Sequence, residues 1–161
     1  MDTTPIIASS LAIQIHALSA LAAVLLGTIV LFARKGTRLH MRLGRMWVGV
    51  MVVVALSSFL ISEMRMFGPY SLIHALSVLT LVSLIVGIVA IRRGNLKAHR
   101  FIMISLYVFA LVLTGAFTLL PGRRMHAVIF ADGGQTAAVL ATLIATLIGV
   151  LLLVRRRYSR A

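Results

Sequence analysis

The sequence predicts an all-α, polytopic membrane protein: a four-helix transmembrane bundle built from two parallel two-span repeats, followed by a fifth transmembrane helix. Three observations carry this. The 161 residues are 61% hydrophobic and only 12% charged, with a mean hydropathy of +1.08, whereas a soluble chain carries about 25% charged residues. Stretches free of Asp, Glu, Lys and Arg run over residues 3–33, 46–62, 66–91, 101–122 and 133–154, each near the ~20 apolar residues a membrane-crossing helix needs. The pentapeptide Ile-His-Ala-Leu-Ser occurs twice, at 15–19 and at 73–77.

In chain order, span one has no Lys or Arg before it, which argues for a retained helix rather than a cleaved signal peptide. Span two has the shortest charge-free stretch, so its helix is expected to begin earlier, near His40. Spans three and four follow with adequate length. Span five, about 135–154, carries Ala137, Ala141, Ala145 and Gly149, a small-residue face suited to close packing on the bundle or on a larger membrane complex. The whole chain, 1–161, reads as a single transmembrane domain.

Orientation follows from the basic residues of the short loops, because Lys and Arg are retained on the cytoplasmic side. Thirteen fall on one side: Arg34, Lys35, Arg38, Arg42 and Arg45, then Arg92, Arg93, Lys97 and Arg100, then Arg155, Arg156, Arg157 and Arg160. Arg65, Arg123 and Arg124 are on the other, with all three acids, Asp2, Glu63 and Asp132. The N-terminus is therefore expected outside and the C-terminus inside a bacterial inner membrane. The net charge of +13 is accounted for by this asymmetry and by attraction to anionic lipid headgroups. Charges spread over loops do not make a nucleic-acid surface.

The repeat is in register at an offset of 58. From residue 15 to 36 it gives ten identities in twenty-two positions, among them His16 with His74, Arg34 with Arg92 and Gly36 with Gly94. One inserted residue then brings His40 onto His99. Repeat one covers about 10–62 and repeat two about 70–120. Each is a two-span hairpin, so the copies keep one orientation around an axis along the membrane normal.

The repeat puts one histidine on each of four helices: an outer pair, His16 and His74, and an inner pair, His40 and His99. From His16 to Arg34 is a rise of about 27 Å, so the pairs lie toward opposite membrane faces. His40, Leu43, Gly44 and Trp47 share a stripe from which Arg38, Arg42 and Arg45 diverge. His99, Ile102, Met103 and Leu106 share another, with Arg100 directed elsewhere. His16, Ala20, Ala23 and Gly27 form a small-residue stripe open to a close neighbour or to something flat.

Paired imidazoles facing each other inside a bundle are what low-spin haem b requires. One or two haems would be ligated by His16 with His74 and by His40 with His99. Their propionates would meet the basic residues flanking His40 and His99, and Arg123 and Arg124 on the other side. The same histidines are open to two other readings, a copper or zinc site without porphyrin and interfacial side chains duplicated with the gene. His126 has no partner in the repeat. Function is accordingly open between an electron carrier with a quinone or other redox partner, a non-catalytic accessory or assembly subunit, and a metal carrier.

Several classes are excluded or disfavoured. With no cysteine there is no disulfide, thiolate metal site, iron–sulfur cluster or covalently attached c-type haem. No acid lies within a span, against ion-coupled transport. No phosphate-binding Gly-rich loop, His-Glu-x-x-His or Gly-x-Ser-x-Gly motif is present. Glu63 and Arg65 read as an interfacial ion pair.

On Ile15-His16-Ala17-Leu18-Ser19, on Gly36 to Arg45 with Trp47, on Arg93 to Arg100 and on Gly115 to Arg123, the chain resembles a bacterial family of small multi-span membrane proteins carried as a domain of unknown function. The resemblance covers about residues 10–130. More distantly, one histidine on each of four consecutive helices looks like the two-haem transmembrane cytochromes b. That resemblance implies the pairing of His16 with His74 and of His40 with His99.

Overall fold

The computed structural model describes residues 8–61, 72–122 and 126, and all regular structure among them is helical. Helix α1 is Leu11–Phe32, α2 is Arg38–Ser58 and α3 is Leu72–Arg92. Helix α4, Leu96–Ser105, runs on through a π-helical segment, Leu106–Leu113, into α5, Thr114–Thr118. Four helices are long and apolar enough to cross a membrane, the fourth being the continuous Leu96–Thr118. Span two does begin before its charge-free stretch, at Arg38. The fifth span, Glu63, Arg65, Arg123 and Arg124 lie outside the described residues.

The described residues fall into two compact units, Ser9–Leu111 and the remainder, which holds α5 and His126. In the first unit α1 packs on α2, α2 on α3, and α3 on α4. The ring closes where Tyr107 of the π-helical segment reaches Thr28 of α1. Helix α1 shows why the sequence settles this way. Leu11, Leu18, Leu25 and Phe32, seven residues apart, are exposed where lipid would lie, while Ala23 and Gly27 are buried on the other face. Small residues suit a membrane bundle because lipid tails give no hydrophobic reason to associate, so close van der Waals contact must do it.

Both hairpin turns use the same chemistry. Gly36 and Gly94 take φ of 78° and 74°, the left-handed region that a Cβ disfavours. The next residue caps the following helix in each case: Thr37 Oγ1 accepts from the His40 amide at 3.2 Å and Asn95 Oδ1 from the Ala98 amide at 3.0 Å. The caps therefore keep the offset of 58 without an inserted residue, and this corrects the alignment of His40 with His99. His99 lies one position further along its helix, about 100° around the axis. The approaches to the turns also differ. Helix α3 ends in a Schellman arrangement, with Asn95 N–H donating to Ala90 O at 2.9 Å and Gly94 N–H to Ile91 O at 3.1 Å. Helix α1 stops two equivalent residues sooner, and Ala33 turns extended.

Candidate functional site

The four histidines occupy two tiers of the first unit. In the tier far from the turns, both meet the last turn of α2. The ring of His16 places Nδ1 3.0 Å from Val54 O and 3.1 Å from Ser57 Oγ. A carbonyl oxygen can only accept, so Nδ1 carries the proton and, in the neutral ring, Nε2 keeps its lone pair. His74 is buried, at 6% exposure, with its ring tilted 53° to that of Phe59 and centred 5.7 Å away. One turn along α3, the Ser77 hydroxyl is bonded to that of Ser58, tying α3 to α2.

In the turn tier, His99 donates through Nδ1 to Gly87 O of α3 at 2.9 Å, which again leaves the lone pair of the neutral ring on Nε2. His40 lies near Lys35 and His99, and its ring meets the backbone of Val30 in α1. Its Nδ1 differs from the others: it is sealed inside the protein with no hydrogen-bond partner among the described residues. A buried polar atom without a partner is costly.

The expected faces hold in part. Arg38, Arg42 and Arg45 are exposed and Trp47 is buried, as the α2 stripe requires. Leu106 is buried, but Arg100 is half-buried rather than turned fully outward. The small-residue stripe of α1 receives aromatic side chains of its own protein. Trp47 Nε1–H donates to Ala23 O at 2.9 Å. Thr28 gives its proton to Val24 O at 2.8 Å, so the 2.7 Å bond between Thr28 and Tyr107 is donated by the phenol. A Cβ on Gly27 would stand 2.6 Å from Tyr107 Cδ2 and 2.7 Å from Trp47 Nε1. These rings, with Met51 and Leu84 (1% and 2% exposed), fill the bundle between the tiers. Tyr107 was not marked by sequence reasoning; the signal available was its fall opposite Gly27 in a closed four-helix ring.

Among the described residues no three His, Asp or Glu side chains converge on a metal-sized site. His16 and His99 are each held through Nδ1 on a backbone carbonyl, a contact that fixes the plane and tautomer of an imidazole. His126 lies in the other unit. A family model described as "Predicted membrane protein (DUF2306)" matches residues 13–154. No curated protein and no solved structure matches the chain.

Proposed function

We propose that this chain, which belongs to the DUF2306 family of predicted membrane proteins, is a b-type cytochrome carrying electrons across or along the membrane. The observation that carries the reading is the pair of locked imidazoles, His16 on Val54 O and His99 on Gly87 O, one in each tier. The carbonyl sets the tautomer, holds the ring plane and raises the basicity of Nε2. His16 with His74 would hold one haem and His40 with His99 a second.

Haem, when bound, supplies reversible one-electron chemistry. The chain supplies ligation, a low dielectric from its apolar interior, and counter-charges for propionates from Arg38, Arg92, Arg93 and Arg100, with Arg123 and Arg124 as the proposed equivalents on the other side. Trp47, Met51, Leu84 and Tyr107 keep water from the space between the tiers. The same proposal places the protein in a bacterial inner membrane, N-terminus outside, among anionic lipids.

The test is an optical spectrum of detergent-purified protein, oxidised in air and then reduced with dithionite, with a pyridine haemochrome count. A Soret band with sharp reduced α and β bands is expected, and His16→Ala with His74→Ala should remove about half of a two-haem complement. Unchanged haem content in that variant, or no haem in protein purified from haem-replete cells, would sink the reading.

A further inference from the structure

Inside a membrane, a helical Ser or Thr usually returns its hydroxyl to a carbonyl one turn back. Ser19, Thr28, Ser57, Ser58 and Thr118 all do so, and Ser77 is bonded to Ser58. Thr80, Ser83 and Ser105 do not: none of the three hydroxyls has a hydrogen-bond partner among the described residues. They are also not scattered. All three line one groove of about 290 Å³ between α3 and α4, walled by Phe101 and Phe109.

The depth of the groove narrows the choice of ligand. Thr80 lies about 12 Å from the start of α3 and Ser105 about 13 Å from the start of α4, at 1.5 Å per residue. Phospholipid headgroups and fatty-acid carboxylates stay near the interface. A molecule that meets these hydroxyls must carry its polar atoms into the hydrocarbon on an otherwise apolar body. The repeat indicates the shape. Position 105 is 58 residues after Trp47, so the second hairpin has a serine and an opening where the first has an indole ring bonded to Ala23 O.

We propose that this groove binds the ring of an isoprenoid quinone. The ring lies between Phe101 and Phe109, and its carbonyl oxygens accept from two or more of Thr80, Ser83 and Ser105. The volume is close to the ~300 Å³ lower bound of small-molecule pockets, enough for a substituted ring with its tail running out to lipid. Binding stands on this groove alone. Only the use of the quinone as electron donor or acceptor rests on the haem reading.

The experiment equilibrates the purified full-length chain in detergent with decyl-chain benzoquinone and, separately, a decyl-chain naphthoquinone, then counts bound quinone after gel filtration. About one per chain is expected for at least one of the two. Thr80→Val combined with Ser83→Ala and Ser105→Ala breaks no bond of the fold and should weaken binding about tenfold or more, the effect of losing two net hydrogen bonds. Ser105→Trp, which fills the opening as Trp47 fills its counterpart, should abolish it. Binding of neither quinone above the level in protein-free micelles, equal binding by both variants and the wild type, or equal displacement by decanol would each overturn the proposal. The haem spectrum of the same samples is read independently, so loss of one finding is not loss of the other.

Discussion

The two hairpins of the bundle share their turns and differ in how they close. Gly36 with Thr37, and Gly94 with Asn95, build the same left-handed residue and cap at the same offset. Between α1 and α2, however, Trp47 seals the interface on Ala23, and Gly27 lets Tyr107 in from the fourth span. Between α3 and α4 the equivalent position is Ser105 and a groove remains. Duplicated sequence thus keeps what the backbone needs at a turn, while side-chain packing is free to diverge, one copy becoming structural and the other open.

That contrast can be broken most sharply at its two equivalent positions. Trp47→Ala removes an indole from a packed interface together with its bond to Ala23, and should cost about 3 kcal/mol. Ser105→Ala should be neutral within about 0.5 kcal/mol. Thermal unfolding in detergent compares them, and a similar loss in both would mean that the hairpins close alike.

The next largest effect is at the two buried glycines. Gly27→Ala drives a methyl into two rigid rings and should cost about 2 kcal/mol. Gly87→Ala meets the flexible end of Met103 and Ile102 Cγ2 at 3.2 Å, which can give way, and is expected to be near neutral. The same unfolding measurement decides between them.

At the turns the comparison should vanish. Gly36→Ala and Gly94→Ala force a Cβ into left-handed backbone in open space, so each should cost about 1 kcal/mol, and a clearly unequal pair of unfolding shifts would count against the shared register. A smaller loss than at the turns is expected for Tyr107→Phe. Loss of the phenol bond to Thr28 is worth about 0.6 kcal/mol inside a bundle, and a double-mutant cycle with Thr28→Val measures it.

Much of this was legible in residue types. Composition and charge-free runs gave four of the spans, and the start of α2 at Arg38 followed from the short second stretch. The stripe of Ala23 and Gly27 was readable because small residues recur at helical spacing. The inner histidines were misaligned for a definite reason: matching identical letters favours His40 on His99, whereas hydrogen bonds at the caps fix the register one residue away. The π-helical segment was invisible because hydropathy does not sense a change of hydrogen-bond register. The groove was invisible too, since whether Thr80, Ser83 and Ser105 bond to their own helices depends on rotamers that composition does not specify. The tiers themselves were readable from four histidines, but not that His16 and His74 would both meet the end of α2.

The bond between Thr28 and Tyr107 joins residues 79 apart in the chain, and this bears on how the molecule is made. At about 5–20 residues per second, roughly 4–16 s separate their synthesis. Over that interval the newly inserted first hairpin lacks its partner at Gly27, and α1 must wait beside the translocon with that face turned to lipid or to the insertion machinery. A ribosome-bound chain stopped before Tyr107 should therefore show its single tryptophan, Trp47, in a looser setting, with redder and more readily quenched emission than in the finished protein. Closure of the bundle is in this sense a late event of biogenesis, which waits on the arrival of the fourth span.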